Sequence, residues 1–486
     1  MSKPLILSID LGTSSTKSLL VDRRGQVVAR GSAPLGEHHV RPGWVDQDAD
    51  EIWRSLNQAV RACLEGQDAS AVATVGLSSQ RESLVMWDRR SGDPISPVIS
   101  WQDQRTVAAC AALCSDDNDR LVVERSGLPL DPMFSALKAK WLLDTYDPDR
   151  RRARAGEICL GTIDSWFLSR FGGDHVTEAG NASRTQLLNV RRVDWDPDLL
   201  ALFEVPASVL PRVVSSVGPF PKITGLAPLR DGTPIGAVMG DSHAALFAHG
   251  AFTPGKVKAT YGTGSSVMGL VGEAEHLDPG LCLTIAWALS LDKPALAAEG
   301  NIRSAGSTLK WLADILGVSP QELATLGNQA DSGGVILVPG FGGLGAPWWE
   351  KKACAQLSGF TLGTGRAELA RAALDSIIQQ VADLVEAIDR SVGRIDALCV
   401  DGGPTRNDAL MQNQADLIDR LVLRSHTTEL SALGVAHLAG LSAGLWSWDD
   451  LTALSRAFDP FNPRRDEASR VEKRRAWLAA ISRARA

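Results

Sequence analysis

"SIDLGTSSTKSLLVD" fills residues 8–22, and "ATYGTGSSVMGLVG" fills residues 259–272, about 250 residues further along the chain. Both read as strand, Gly-Thr turn with small hydroxyl residues, then strand. Internal similarity signals a duplicated unit, and a spacing this long does not suit a solenoid repeat, so each stretch is assigned to a different lobe. A ligand shared between the lobes accounts for the echo. A Gly-Thr turn between strands brings backbone N–H groups close to an anion, because glycine lacks a Cβ and tolerates unusual backbone angles. Phosphate oxygens fit such a nest. The hydroxyls of Thr13, Ser14, Ser15, Thr263, Ser265 and Ser266 add donors, Lys17 balances charge, and Asp10 can hold water around Mg²⁺. One such hairpin is equally an ordinary glycine turn of any α/β protein; two of them point to a nucleotide held from both sides.

Outward from the first hairpin, "LILSID", "KSLLVD" and "VVARGSA" form a strand meander whose first turn beyond the hairpin is Arg23-Arg24-Gly25-Gln26. "DEIWRSLNQAVRACLEG" spaces Ile52, Leu56, Val60 and Cys63 at helical intervals and ends at Gly66. Strand "VATVGLSSQ" follows, so the order is strands, helix, strand, an α/β sheet with polar residues at its strand ends. Later, "SALKAKWLLDTY", "RAELARAALDSIIQQVADLVEAIDR" and "ALMQNQADLI" carry apolar residues at i, i+3, i+4 spacing, and "LSALGVAHLAGLSAGLW" is a small-residue helix suited to close packing. No low-complexity linker separates lobes, and the second hairpin sets the expected domains at 1–247 and 248–486. The arginine-rich tail from Arg464 reads as a solvated surface helix with Trp477 and Leu478 docked.

The 486 residues, 44% apolar and 22% charged, can bury a large core and suggest two or three domains. A formal net charge of −7 gives no broad basic surface, which argues against a nucleic-acid partner. Seven cysteines without a CxxC pair fit reduced thiols rather than a disulfide framework or zinc site. "MSKP" passes straight into a strand-like run, and no apolar run approaches the ~18 residues of a membrane span, so the expectation is a cytoplasmic protein without a membrane partner. Apolar helices such as 366–390 suit either the core or a homodimer contact.

"LCVDGGPTRNDALMQNQADL" places Asp401-Gly402-Gly403 at the end of a buried strand, with Asn407 or Asp408 opening a helix. Bare backbone at such a point can admit adenine or ribose; a tight strand-to-helix turn is the alternative. Together "IDLGTSSTKSLLVD", "GLSSQRESLVMWD", "WQDQRT", "VTEAGNASRT", "MGDSHAALFAHG", "TYGTGSSVMGL", "GAPWWE" and "VDGGPTRNDALMQNQAD" resemble the FGGY family of carbohydrate kinases, in order and over nearly the whole chain. The resemblance implies an α/β fold of two ribonuclease-H-like (actin-type ATPase) lobes around a central cleft, where ATP, Mg²⁺ and a small polyol or sugar meet. A non-catalytic or chaperone-like ATP switch of the actin superfamily is the rival reading; Asp241, the Arg81-Glu82 pair and the lack of a peptide-binding domain argue against it.

Phosphoryl transfer to an alcohol needs a base for the hydroxyl proton. Asp241 follows the apolar strand "IGAVMG" and matches the family's catalytic aspartate in "GDSHAAL", with Asp10 and Asp241 on the metal side. His243 is read as structural. Arg81 and Glu82 in "SSQRES", next to Gln80, combine a guanidinium donor with a carboxylate acceptor for hydroxyls on adjacent carbons; an exposed salt bridge is the alternative. Trp101 can form an apolar wall under a carbon chain and Asp103 can accept a hydrogen bond, or both are structural. The resemblance carries Asp10, Thr13, Ser14, Ser15 and Lys17 to the phosphate and metal side, with Gly262 and Thr263 opposite, and Gly306, Gly402, Gly403 and Asn407 near ribose and adenine. Gln80-Arg81-Glu82, "WQDQRT" and "NASRT" resemble the glycerol kinases of the family more than its xylulokinases. Met133 and Ser242, however, stand where a tyrosine and a glutamine are expected, removing polar groups from the pocket. The expected acceptor is a glycerol-like polyol first and a xylulose-type pentulose next.

Overall fold

The computed structural model describes residues 4–272 and 277–486. Its contacts gather into two compact units: one takes residues up to 250 with 283–296 and 429–455, the other the remaining described residues.

In the first unit the strands lie in the order Ile235–Gly240, Val72–Ser79, Leu5–Leu11, Ser15–Val21, Val27–Pro34. Leu5–Leu11, Ser15–Val21 and Val27–Pro34 form the expected antiparallel meander, and Val72–Ser79 runs parallel to both Leu5–Leu11 and Ile235–Gly240. The turn at 22–26 is made by Asp22, whose Oδ1 accepts from the N–H groups of Arg24 and Gln26, and by Gly25 at φ +75. Helix Ala49–Leu64 is capped by the Asp48 side chain and lays Ile52, Leu56, Val60 and Cys63 on the sheet. It can come that close because a Cβ on Gly31 would stand 2.2 Å from the Ala59 carbonyl oxygen. This apolar interface, shared with Trp87, Trp166 and Phe167, is the unit's main core.

The second unit repeats the wiring. Lys256–Tyr261, Ser265–Leu270 and Ala295–Ile302 make an antiparallel meander, and Ala397–Gly402 then Leu421–Ser425 add in parallel beside its first strand. The echoed glycine turns are thus the first hairpins of two equivalently connected sheets. Helix Arg366–Val392 buries Leu374, Ile377, Val381, Leu384 and Ile388 within this unit, so these apolar residues serve its core.

Residues 283–296 and 429–455 fall in the part of the sequence expected to be the C-terminal lobe, yet they group with the first unit. For the latter segment the cause is the small-residue helix Leu430–Ser442: a Cβ on Gly434 would be 1.8 Å from the Ala244 carbonyl oxygen, and one on Gly76 2.7 Å from that of Val435. In the tail helix Glu467–Ala484, Trp477 is buried and donates to Asp383 at 2.9 Å, but Leu478 is 41% exposed. Neighbours on a helix point about 100° apart, so only one of the expected pair can face inward; Arg474, Ala480 and Ile481 complete the buried face. None of the seven cysteines forms a disulfide, and burial pushes the Cys63 and Cys159 thiols up to about 11. Among the described residues no helix is long and apolar enough to cross a membrane.

Candidate active site

Strand register assembles the first unit's share of the site. Leu11 lies beside Ser79, and Ser79 beside Gly240. The turn at 12–14, the segment 80–83 and Asp241 therefore leave one edge of the sheet together, at the carboxyl ends of its parallel strands, where open α/β sheets offer side chains that no ladder partner covers.

Asp241 opens helix Asp241–Ala248 directly after its strand. Its Oδ1 accepts from the Ser242 N–H at 2.6 Å and faces Arg81 Nε at 3.3 Å, which fixes the carboxylate while its side chain stays 37% exposed. Arg81, 6% exposed, slides beneath Gly240, where a Cβ would come within 2.6 Å of its Cδ. Glycine is needed there for close approach. Arg81 Nη1 also meets His243 Nε2 at 3.3 Å, and since a guanidinium only donates, that nitrogen accepts. His243 is completely buried and so occupied, in keeping with a structural role.

Glu82 is buried with φ +61, a left-handed backbone that is strained for a residue with a Cβ. Its main-chain oxygen is held by Ser135 Oγ at 2.9 Å, and its Oε1 accepts from Arg184 Nε at 2.6 Å. Arg184, completely buried over the Phe134 ring, was not singled out in the sequence, although it lies in the quoted "NASRT". Lys138 was missed too. Its fully buried ammonium donates to the main-chain oxygens of Met133 and, at 3.4 Å, of Trp101, clamping both segments. Burial pulls it down to about 8, against the opposing pull of Glu82, Asp103 and Asp131.

Trp101 donates its Nε1–H to Thr13 Oγ1 at 3.1 Å, and Gln80 donates from Nε2 to Gln47 at 2.8 Å. Asp103 fits the structural of its two readings. It is fully buried, accepting from the Val45 N–H at 2.6 Å and from Arg105 at 2.8 and 2.9 Å, so it anchors Arg105 and offers no acceptor to a substrate. Arg105 in turn stacks between Trp44 and Trp141, at 4.1 and 4.6 Å from the ring centres. The partly exposed Met133 and Ser242 remain on this edge, Met133 through the Lys138 clamp and Ser242 through Asp241.

In the second unit Tyr261 pairs with Gly402, so Gly262, Thr263, Gly403 and Asn407 leave a common strand edge. Gly306 docks on the hairpin through its N–H to the Gly262 oxygen at 2.9 Å, where a Cβ would be 2.6 Å from that oxygen. Gly402, at φ +101, packs more closely still, a Cβ there standing 2.0 Å from the Tyr261 oxygen. Gly403 has open space at its Cβ position and leaves bare, exposed backbone. Asn407 caps helix Asp408–Ile418 and exchanges amide hydrogen bonds with Asn328 at 3.1 and 3.2 Å.

Asp10 is perturbed by burial and by its neighbour Asp241. Burial, then the nearby Asp241 charge, raises its carboxyl to about 6, despite the Ser78 hydroxyl at 2.8 Å and Lys17 across the hairpin. Two carboxylates that resist ionising together fit a hard divalent cation. Among the described residues no group of three or more His, Cys, Asp or Glu gathers as a metal cluster.

Residues 5–248 match the N-terminal domain, and residues 257–443 the C-terminal domain, of the FGGY family of carbohydrate kinases. The chain belongs to this family. It is accordingly a phosphotransferase with an alcohol acceptor. Among its relatives, an apulose kinase of Pectobacterium atrosepticum is 42% identical, covering 100% of this chain and 99% of that protein. A glycerol kinase of Aromatoleum aromaticum is 43% identical, covering 99% and 98%. The solved Plasmodium falciparum glycerol kinase with ADP aligns over 99% of this chain and 98% of its own, with TM-score 0.91 and 29% identity. A Lactobacillus acidophilus xylulose kinase, at TM-score 0.88 and 20% identity over 99% and 98%, shares the fold. These FGGY relatives lend no support to the ATP-switch reading.

Proposed function

We propose that this FGGY kinase, with Mg²⁺, transfers the γ-phosphate of ATP to a hydroxyl of a small polyol or ketose, a glycerol-like polyol ahead of a xylulose-type pentulose. The observation that carries this reading is the register of Leu11, Ser79 and Gly240, which delivers a glycine-hydroxyl turn, a guanidinium-carboxylate pair and an exposed aspartate to one strand edge.

The first unit holds the acceptor. Its carbon chain lies on Trp101, and neighbouring hydroxyls bond to Arg81 and Glu82, with Arg184 and Lys138 keeping Glu82 and Trp101 in place. Thr13, Ser14, Ser15 and Lys17 serve the phosphates. Gly262, Thr263, Gly306, Gly403 and the turn built on Gly402 and Asn407 serve the nucleotide from the second unit. Asp10 and Asp241 would hold the metal, which when bound would neutralise charge on phosphate oxygens. Asp241 takes the proton of the attacking hydroxyl onto its carboxylate as that oxygen bonds to the γ-phosphorus; the bond to the β,γ-bridging oxygen breaks, and ADP leaves.

ADP release measured with ATP, Mg²⁺ and, in turn, glycerol, erythritol, xylitol, xylulose, ribulose and apulose tests this. One acceptor should lead by kcat/KM. No acceptor-dependent release from any of them would overturn the reading.

A further inference from the structure

Thr13, Gln47, Gln80, Ser83 and Trp101 are joined in a ring of hydrogen bonds whose two arms both run from Trp101 as donor to Thr13 as acceptor. The Trp101 main-chain N–H donates to Ser83 Oγ at 3.0 Å, and Ser83 Oγ donates to Gln80 Oε1 at 2.9 Å. Gln80 Nε2 donates to Gln47 Oε1 at 2.8 Å, and Gln47 Nε2 to the Thr13 main-chain oxygen at 2.7 Å. Trp101 Nε1 closes the circuit on Thr13 Oγ1 at 3.1 Å. Gln47, Gln80 and Ser83 are at most 1% exposed. Buried amides and hydroxyls are tolerated only when satisfied, and each glutamine here uses one end as donor and the other as acceptor.

Two consequences follow from donor chemistry and position. An indole N–H only donates, so Thr13 Oγ1 accepts from Trp101 and its own hydroxyl proton is turned elsewhere, as a donor suited to an anion. Gln80 and Ser83 flank Arg81 and Glu82 in the chain, while Thr13 sits at the tip of the first hairpin; the Gln80 N–H also bonds the Leu11 oxygen at 2.8 Å. Neither the turn nor the acceptor segment can shift without disturbing the other. Gln47 is the link contributed by a third element, strand Trp44–Gln47, which Asp103 and Arg105 also hold through the Val45 N–H and the Trp44 ring.

The geometry points to Gln47 as a positioning residue that couples acceptor binding to nucleotide binding, by tying the first glycine-hydroxyl turn to the strand end carrying Arg81 and Glu82. This rests on the kinase reading above. Its signature is a coupling factor: the ratio of the acceptor's Kd alone to its Kd in the presence of AMP-PNP and Mg²⁺. By reciprocity the same factor appears in nucleotide affinity.

The test measures that factor by calorimetry for wild type, Gln47→Met and Gln47→Glu, using the acceptor that leads the ADP-release screen. Methionine keeps the side chain's length without either hydrogen bond. Ionised glutamate keeps an acceptor for Gln80 but cannot donate to Thr13, and it remains informative if the methionine variant does not fold. Both substitutions should cut the coupling about tenfold, the scale of a broken buried hydrogen bond, with either ligand alone binding within about twofold of wild type. A coupling factor of one in wild type, or an unchanged factor in a folded variant, overturns the proposal while leaving the kinase reading intact. A wild-type protein that turns over no acceptor overturns both.

Discussion

Asp10→Asn removes a charge that the fold holds against its own solvation. The buried carboxyl, beside Asp241, is raised from its ordinary value of 3.8 to about 6. Below pH 3.8 the group is protonated whether the chain is folded or not, and it contributes nothing to pH dependence. Between 3.8 and about 6 the unfolded chain ionises while the fold keeps its proton, so folding stability falls as pH rises. Above about 6 the loss is complete. Each pH step of one is worth about 1.4 kcal/mol, which makes ionised Asp10 cost the folded unit about 3 kcal/mol. Asparagine keeps an oxygen for the Ser78 hydroxyl, bonded at 2.8 Å, and carries no charge. Apo Asp10→Asn should therefore be more stable than wild type by about 3 kcal/mol at pH 8, on the order of 5 °C in Tm for a unit of this size. The difference should shrink to about 0.5 kcal/mol at pH 4. Thermal melts at pH 4, 5, 6 and 8 follow it directly. The same variant should lose most Mg²⁺-dependent turnover, since a stabilised fold without the carboxylate cannot hold the cation. A stability gap that is absent at pH 8, or equal at pH 4 and pH 8, would refute the view that Asp10 is strained by burial and by Asp241.

Arg81→Lys should raise the acceptor KM by at least about tenfold while leaving ATP affinity nearly unchanged, because an ammonium cannot reproduce the planar fork that meets Asp241 and His243; equal losses for both ligands would contradict the placement. Gly240→Ala puts a methyl 2.6 Å from Arg81 Cδ and should displace that side chain, raising acceptor KM with little change in Tm; an unaltered KM would show that the arginine moves without consequence. Asp103→Asn should cost about 3 kcal/mol of stability through the Arg105 anchor, with a smaller effect on acceptor KM than Arg81→Lys has. The opposite ranking, measured by melts and steady-state kinetics, would return Asp103 to the acceptor pocket.

What the sequence disclosed was local. The glycine turns at 12–13 and 262–263, the strands around them and the helical periodicity of 366–390 are carried by neighbouring residues, and all appear in the structure. Asp241 could be read as the residue after an apolar strand. The supporting side chains could not, because their partners are remote: Arg184 meets Glu82 across 102 residues, and Gln47 meets Gln80 across 33. Asp103 shows the same limit from the other side. A carboxylate beside a tryptophan looks available until Val45 and Arg105 are seen to occupy it. The return of 429–455 to the first unit left no linker to announce it, only the alanines and glycines that let one helix touch a strand and another helix closely.

Single-turnover transfer from radiolabelled ATP by Asp241→Asn, alongside its ATP affinity, tests the central claim most directly. The substitution preserves the side chain's shape but removes the proton acceptor, so ATP should bind within about twofold of wild type while transfer falls by a factor on the order of 10² to 10⁴. Transfer at a near-normal rate would show that another group receives the hydroxyl proton and that this strand edge is not where the chemistry happens.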